Sequence, residues 1–523
     1  MRISEKKKLR NSLKLIANTS FIVFISIFLS KILTYAYRIV IARNYGPDTY
    51  GAFSLAVMLL GWFAIFSRLG LPEGLYRYIP YYRGKKDKNK VRFLIKKSIS
   101  LIILSSVVLG FVLFFTSNFI AVKLFKTGNL IFFLKIFAII LPFYVLFDIF
   151  LVILISFEKI IWRSFIFNIF QNLVRLVALS LIIFFGLNSN SIAFTYALGT
   201  FSGFLLAFFV IKLSIKDIFK SHTLSVKERR DSFKKLFNYS WPLLFFGIIF
   251  SIFNWTDSFI IGIMTGVSQV GFYNAAVPLA MLLMITPQLF VQLFFPIITK
   301  HFSENEKNLS IIRELSKQVS KWIFIVNLPL LILILIFPGV FINFFFGKEY
   351  LIAENSLRFL AVGALFNSVF IISNNLISML GKSKIILLDI IIASIINMLL
   401  NILLVQKYSI TGAAIATMVS LIFLNLLFLF QAKKYTSIIP LRRKMIKIFL
   451  ISLIPAIFLI FLRNQLRTIN FSVLILSGCL FIFTYILLIF VFSGLDKNDL
   501  FILNLFLNKI KNSFIGFKNL EIY

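Results

Sequence analysis

The chain has 523 residues, of which 60% are hydrophobic and only 14% are charged. Soluble globular proteins carry about 45–50% apolar and about 25% charged residues, so this composition excludes a soluble enzyme and a disordered chain. A single cysteine, Cys479, also excludes a secreted disulfide scaffold. Lys and Arg number 55 against 19 Asp and Glu, a net charge of +36, and in so apolar a chain this excess points first to a membrane.

The hydrophobic residues fall into fourteen runs, each a candidate for a membrane helix, which needs about 20 mostly apolar residues. No connection between them is long enough for a soluble domain. The first run is too long for the core of a signal peptide and no small-residue cleavage site follows it, so we expect it to be retained. In chain order, predicted spans 1 to 14 cover residues 15–40, 50–72, 98–117, 130–156, 164–186, 191–211, 238–263, 272–298, 322–338, 351–379, 385–405, 410–431, 448–462 and 470–493.

The basic residues alternate from one connection to the next. Fourteen spans place every second connection on the same side, and the side that holds the N-terminus carries 42 Lys and Arg against 7 on the opposite side, with 6 inside spans. Connections rich in Lys and Arg stay in the cytoplasm. The sequence therefore predicts a multi-pass protein of the cell membrane with both termini cytoplasmic, and this topology accounts for most of the net charge without a nucleic-acid partner.

Two pairs of segments repeat at a constant spacing. The residues from Gly46 to Phe53 are similar to those from Gly266 to Tyr273, and Ser191 and Thr411 open similar small-residue segments, each pair at an offset of 220. The alternative is chance similarity between small-residue loops. We expect an all-α polytopic membrane protein in which spans 1–6 and 7–12 are two copies of one unit. The predicted division is an N-terminal six-helix lobe at 1–218, a C-terminal six-helix lobe at 219–436, and two additional helices with a cytoplasmic tail at 437–523.

Several short motifs lie at these same landmarks. Each is weak alone, but their order and spacing resemble polysaccharide-biosynthesis flippases of the O-antigen translocase type, within the multidrug/oligosaccharidyl-lipid/polysaccharide exporter superfamily. The motifs are Gly46-x4-Gly51-x-Phe53, Leu69-Gly70-Leu71-Pro72, Gly271-Phe272-Tyr273-x-Ala275-Ala276, Asn397-x3-Asn401-Ile-Leu-Leu and Gly412-Ala413-Ala414-Ile415-Ala416-Thr417.

This resemblance implies two six-helix lobes, alternating access, and a polyprenyl-diphosphate-linked oligosaccharide as cargo. The partners expected from it are the lipid-linked glycan, the bilayer and glycan-assembly enzymes, and we expect a monomer. No cofactor is expected, while coupling to Na⁺ or H⁺ stays open. The identity of the sugar does not follow from the motifs.

Two helix faces in the first half of the chain are polar. Ionisable groups in the hydrocarbon region cost at least ~2.5–3.5 kcal/mol on insertion scales, so they tend to face a cavity or a partner. Span 1 carries Lys31, Tyr35 and Arg38 on one face, at i, i+4 and i+7. We expect a cationic lumen that binds the diphosphate. Span 5 carries a second such face, formed by Asn168, Gln171, Asn172 and Arg175.

The offset of 220 extends this reasoning to the second half. Tyr35 maps to Trp255, and the residue before Tyr35 maps to Asn254, while Arg68 maps to Gln288. The second copy keeps polarity but loses charge, so we expect it to contact sugar. Asp257 could pair with a lumen cation or take part in ion coupling. Cations near span ends could instead snorkel to the headgroups; these are Arg38, Arg68 and Arg358, all three of which stay candidate substrate contacts.

Three alternative functions remain to be weighed. A peptidoglycan-precursor flippase also carries a lipid diphosphate, and the sequence separates it poorly from a polysaccharide flippase. A multidrug exporter of organic cations needs an acidic pocket in the first lobe, where span 1 instead carries Lys31 and Arg38. A glycosyltransferase or polymerase needs catalytic carboxylates or a large outer loop. His222 and His301 have no neighbours of a metal or nucleophile site, so we predict that the protein is not an enzyme.

Overall fold

The computed structural model describes residues 3–215, 218, 220, 221, 223–304, 309–465 and 471–492, and its regular structure over these residues is entirely helical. We number the α-helices in chain order. They are α1 Ile3–Arg68, α2 Leu71–Gly84, α3 Lys88–Asn118, α4 Asn129–Ser156, α5 Ile160–Ser164, α6 Gln171–Phe184, α7 Ile192–Ser214, α8 Val226–Met264, α9 Val267–Ala280, α10 Ile285–Glu304, α11 Leu309–Ile336, α12 Pro338–Phe345, α13 Glu354–Met379, α14 Ser383–Thr436, α15 Arg443–Gln465 and α16 Phe471–Val491.

Twelve helical segments of the described chain are long and apolar enough to cross a membrane. Two of them have double length, because α1 is broken at Gly46 and α14 is broken at Ser409. Gly46 has φ 75° and ψ 177°, a conformation that glycine adopts readily. Counting each broken helix twice gives fourteen, which confirms the number of spans predicted from hydropathy. The protein is a multi-pass helical membrane protein.

Several helices begin well before their apolar runs. α3 starts at Lys88 and α8 at Val226, about three turns ahead of the predicted spans. Side-chain caps explain both starts: Asp87 accepts a hydrogen bond from the Lys90 amide, and Ser225 forms a reciprocal capping box with Glu228. Hydropathy marks only the part of a helix that lies in lipid, so these polar extensions were assigned to connections.

The segment between the predicted spans 50–72 and 98–117 also contains most of a further helix, α2, at Leu71–Gly84. Its buried face includes Leu75 and Ile79, and Tyr76 and Tyr81 on the opposite side are exposed. Asp87, which follows it, has its pKa lowered below the usual range because it accepts hydrogen bonds from Lys90, an effect that exceeds the opposing influence of burial. The polar segment between the second and third predicted spans is therefore largely helical.

The described residues form two compact units. Unit 1 comprises the described residues within Met1–Met281, Phe345–Gly363 and Ser383–Leu424, and unit 2 those within Leu282–Phe344, Ala364–Lys382 and Asn425–Tyr523. The lobe boundaries predicted at 218 and 436 stay predictions.

Inside unit 1, the half of α1 that follows Gly46 packs closely on α9. A Cβ atom on Gly51 would lie 2.0 Å from the Val267 carbonyl oxygen, and one on Gly271 would lie 2.1 Å from the Pro47 carbonyl oxygen. Only glycine permits such an approach of two backbones. The contact is reciprocal between positions offset by 220. We call residues 46–51 and 266–274 the seam.

Polar contacts reinforce the seam. The Ser268 hydroxyl donates to the Asp48 carboxylate, and these two residues are themselves offset by 220. The Tyr50 hydroxyl, which is fully buried, donates to the Asn274 carbonyl oxygen at 3.1 Å. By the charge count, the seam lies on the side predicted to be the outside.

Candidate functional site

Lys31, Tyr35 and Arg38 lie on one face of α1, and all three are half-buried. Arg38 is close enough to act electrostatically on Lys31, on the Tyr35 hydroxyl and on the Tyr50 hydroxyl of the seam. Over the part of the chain that the structure describes, no carboxylate pairs with either cation. We call Lys31, Tyr35 and Arg38 the cation cluster. Two like charges held together in this way form a ready binding place for an anion.

The polar face predicted on span 5 is buried inside unit 1. The Asn168 amide donates to the Ser26 hydroxyl at 3.0 Å, and the Asn172 amide donates to the Ser30 hydroxyl at 3.3 Å. Asn168 lies in a π-helical turn at Phe165–Phe170, a type of local distortion that is frequent at functional sites. The face predicted by the sequence thus exists, and the structure packs it against α1. Whether it contacts cargo stays a prediction.

Arg175 is the charged member of this buried face and is only 9% exposed. Its guanidinium lies 3.9 Å from the centre of the Tyr196 ring, and Nη2 donates to the Thr200 hydroxyl at 3.0 Å and to the Gln171 side-chain oxygen at 3.4 Å. A Cβ atom on Gly199 would lie 2.3 Å from Arg175 Cγ, so glycine makes room for the side chain. Neutral dipoles and a π face therefore stabilise this cation.

Arg68 makes an ion pair with Asp148 on α4, and its guanidinium also faces the Tyr144 ring at 5.8 Å. Both charged side chains are partly exposed. Arg68, at the end of α1, thus has a carboxylate partner, unlike Lys31 and Arg38.

A second cluster surrounds Asp257 on α8, which is 7% exposed. One carboxylate oxygen accepts from the Tyr273 hydroxyl and from the Thr417 hydroxyl, both at 2.5 Å, and the other accepts from the Asn401 amide at 2.8 Å. All of these donors are neutral. The sequence singled out Asp257 as an in-span acid, but its donors lie 16, 144 and 160 residues away.

Two amide oxygens near Asp257 lack hydrogen bonds. Asn397 Oδ1 and Asn401 Oδ1 are buried and accept no hydrogen bond from the described residues, while the Asn397 amide donates toward Thr417. Orphaned buried acceptors are rare and need an explanation. Carboxylate, amide and hydroxyl oxygens are ligands of hard cations. We call Asp257, Tyr273, Asn397, Asn401 and Thr417 the acid cluster.

The acid cluster could hold a cation through one carboxylate only. No group of three or more His, Cys, Asp or Glu side chains with metal-ligand spacing occurs among the residues that the structure describes. The hydrogen bond from Asn401 to Asp257 joins α14 to α8. Tyr273 and Thr417 were missed as site residues, although both lie in the motifs that carried the family resemblance.

The remaining predicted site residues lie outside these clusters. Asn254 is exposed, and its amide donates to the Phe250 carbonyl oxygen of its own helix, while Trp255 is half-exposed. Gln288 belongs to unit 2 and is exposed. Arg358 on α13 donates to the Asn355 side-chain oxygen at 2.6 Å. The binding roles of Gln288 and Arg358 stay predictions.

Comparison with known proteins decides the family. Residues 16–302, more than half of the chain, match the model of the family described as "Polysaccharide biosynthesis protein". The chain belongs to this family. The resemblance seen in the motifs is thereby confirmed, and the fold is shared with transporters of the MOP superfamily.

Three other proteins are similar to this chain. The "Putative O-antigen transporter" of Shigella flexneri is 26% identical over 388 residues, 72% of this chain and 88% of that protein. The "Probable low-salt glycan biosynthesis flippase Agl15" of Haloferax volcanii is 30% identical over 200 residues, 38% of this chain and 42% of that protein. A structure of "Lipid II flippase MurJ, inward closed conformation" superposes with a TM-score of 0.70 at 21% sequence identity. The match covers 90% of this chain and 98% of the MurJ chain.

Proposed function

We propose that this member of the polysaccharide biosynthesis protein family is a flippase. It moves a polyprenyl-diphosphate-linked oligosaccharide from the cytoplasmic to the outer face of the cell membrane by alternating access. The observation that carries the proposal is the cation cluster, in which Lys31 and Arg38 stand together, half-buried, with no carboxylate partner among the described residues. The glycan-related relatives support the same cargo class.

The cluster has the chemistry that a diphosphate requires. The planar guanidinium of Arg38 can grip two phosphate oxygens, and Lys31 adds a compact charge beside it. Removing a charged headgroup from water is unfavourable unless the charge is compensated. Two cations on one helix face compensate part of the headgroup charge, and Tyr35 between them adds a hydroxyl donor. The prenyl tail stays in lipid while the headgroup crosses.

The position of Arg38 also suggests how cargo binding controls the opening of the seam on the outer side. The Arg38 guanidinium acts electrostatically on the Tyr50 hydroxyl, which donates across the seam to the Asn274 carbonyl oxygen. A diphosphate bound to Arg38 offsets this positive charge and so changes the environment of a hydroxyl that bridges the seam. A ligand shifts a conformational equilibrium only through such differential contacts.

The acid cluster provides a site for a coupling ion. Asp257 is a buried carboxylate without a cationic partner in the described chain, and the orphaned oxygens of Asn397 and Asn401 lie beside it. Coupling-ion sites in secondary transporters lie within the membrane at comparable positions. We include in the proposal that this cluster binds Na⁺, or that Asp257 takes up H⁺, during the transport cycle.

Reconstituted vesicles can test the cargo assignment. Purified protein is expected to move a fluorescent polyprenyl-diphosphate oligosaccharide to the protease- and quencher-protected face. Lys31→Ala combined with Arg38→Ala is expected to lower the initial rate by about a hundredfold or more, because each charge-assisted contact to phosphate contributes about 1.5–3 kcal/mol.

Lys135→Ala is the matched control. Lys135 is also a span cation of the first half, but it lies over the Phe114 ring at 5.6 Å on other helices. The control is expected to transport normally. Undiminished transport in the Lys31 and Arg38 double variant, with a monodisperse protein, would overturn the proposal. Equal transport of a neutral lipid-linked sugar would do the same.

A further inference from the structure

A second charged feature lies in unit 2, and the transport proposal does not use it. The start of α11 and the linker 437–442 ahead of α15 enclose an open cavity of about 690 Å³. Four basic side chains line it, and one acidic side chain, Glu314, lines it as well. The basic residues are Arg313, Lys317, Arg442 and Arg443. The charge count assigns this end of unit 2 to the cytoplasmic side.

The cations of this cavity are held in place. Arg442 makes an ion pair with Glu314 at 2.6 Å. Arg313 donates to the Ser437 carbonyl oxygen at 3.4 Å, and Ser437 has a left-handed backbone with φ 55°. A residue other than glycine is uncommon in this conformation. The linker is thus bent so that one of its carbonyl oxygens faces α11.

The charge of the cavity is not balanced by its own lining. Arg313 and Lys317 are four residues apart on α11, a spacing at which like charges repel each other. Glu314 offsets one of the four cations, so the lining keeps a positive excess. A bound anion relieves this repulsion, and guanidinium groups favour phosphate oxygens.

Apolar side chains adjoin the cations. Ile439 and Leu441 line the same cavity. Directly beyond Arg443, α15 carries Ile446, Leu450 and Ile454 at successive intervals of four residues, and these are 67%, 57% and 56% exposed. Residues four apart share one helix face. An anion pocket therefore continues into an apolar strip that runs toward the membrane interior.

We propose that this cavity binds the phosphate of an anionic membrane phospholipid, with the acyl chains lying along α15. Basic pockets at the cytoplasmic ends of membrane helices suit such headgroups. The bound lipid connects α11 with α15 and so fastens the two helices that follow residue 437 to the rest of unit 2. This inference stands independently of the transported cargo.

The test uses the full-length protein in a neutral detergent, with native mass spectrometry and thermal unfolding as readouts. The probes are dioleoyl phosphatidylglycerol, dioleoyl phosphatidylcholine, glycerol phosphate and inorganic phosphate. Phosphatidylglycerol is expected to remain bound and to raise the unfolding temperature, while the other three leave it unchanged. Equal protection by inorganic phosphate or glycerol phosphate would identify a soluble-phosphate site and overturn the lipid assignment, and equal protection by phosphatidylcholine would overturn the role of charge.

Variants locate the site. Arg313→Ala with Lys317→Ala and Arg443→Ala is expected to weaken phosphatidylglycerol binding by about a hundredfold, because each cation near a membrane surface contributes about a factor of five. The matched control removes three exposed cations of unit 1, Lys86, Lys88 and Lys227. Equal weakening in the control would show diffuse surface attraction only and would overturn the pocket.

A second variant keeps every cation of the cavity, so its result does not depend on whether the triple alanine variant folds. Glu314→Gln removes the competing acid, and it is expected to tighten phosphatidylglycerol binding severalfold and to leave phosphatidylcholine binding unchanged. Weaker binding in Glu314→Gln, with an unfolding temperature that stays normal in the absence of lipid, would contradict the proposal.

Discussion

The cation cluster and the acid cluster are opposites within one unit. Lys31 and Arg38 form a half-buried pair of cations without an acid, whereas Asp257 is a buried acid surrounded by neutral donors. Lys31 lies on α1 and Asp257 on α8, two helices whose positions correspond at an offset of 220. Asp257 itself corresponds to Tyr37 of α1, which donates to or accepts from the Thr195 hydroxyl at 2.7 Å.

This contrast teaches how corresponding helices can acquire different chemistry. Both helices carry polar groups within predicted spans, yet the first holds half-buried positive charge and the second holds buried negative charge surrounded by hydrogen-bond donors. An anionic cargo and a cationic coupling ion need separate sites of opposite sign. The sequence-level repeat stays a prediction, but the reciprocal glycines of the seam, Gly51 and Gly271, agree with it.

The largest effect is expected from locking the seam, because the proposed alternating access requires the outer side to open. Asp48→Cys with Ser268→Cys places two thiols where a hydroxyl now donates to a carboxylate. Oxidation is expected to abolish transport, and a reductant is expected to restore it. The exposed Cys479 must first be replaced by Ser to prevent intermolecular disulfides.

Controls for the lock are the two single cysteine variants under the same oxidant, which should transport normally. Continued transport by a protein that mass spectrometry shows to be fully cross-linked would exclude opening at the seam. In that case the contact from Arg38 through Tyr50 to Asn274 could not connect cargo with access.

The next largest effect concerns the acid cluster. Asp257→Asn replaces an acceptor of three hydrogen bonds by a group with one oxygen, and we expect transport to fall by about 10- to 100-fold, since leaving buried donors unsatisfied costs about 1–3 kcal/mol. The residual rate should no longer depend on Na⁺ or on pH. Vesicles with imposed Na⁺ or H⁺ gradients measure this. A residual rate that keeps the full ion dependence would remove Asp257 from coupling.

Sequence reasoning located the polar residues better than their surroundings. Hydropathy and charge placed the spans, and helical periodicity placed Asn168, Gln171, Asn172 and Arg175 on one face. Periodicity cannot tell which neighbour covers that face, because Ser26 and Thr200 belong to distant parts of the chain. For the same reason, periodicity could not identify the residues that donate hydrogen bonds to Asp257.

Helix ends were the other failure. The residues of α3 before Lys97 and those of α8 before residue 238 are helical although they are strongly charged. Their capping residues, Asp87 and Ser225, are visible in the sequence. A search for caps alongside hydropathy would have extended both helices, since a polar helix outside the membrane leaves no hydrophobic signal.

A smaller effect is expected at Arg175, which tests whether this buried cation contacts cargo. Arg175→Gln keeps a side chain able to hydrogen-bond Thr200 but removes the charge. Because the guanidinium already faces Tyr196, Thr200 and Gln171, we expect a fall in transport of about three- to tenfold, from lost positive potential alone. A loss as large as that of the Lys31 and Arg38 double variant would instead indicate direct contact with the headgroup.

The smallest effect is expected at Trp255, the half-exposed residue of α8 that corresponds to Tyr35. Aromatic faces pack on the apolar faces of sugar rings, so Trp255→Phe should raise the cargo concentration at half-maximal rate about two- to fivefold while the maximal rate stays unchanged, as expected for uniform binding. Trp241→Phe is the matched control, because Trp241 is another exposed tryptophan of α8 and belongs to no predicted site. An equally large effect of Trp255→Phe on transport of a lipid diphosphate without sugar would place this ring against the lipid rather than the glycan. The corresponding positions of α1 and α8 would then differ in charge but not in sugar binding.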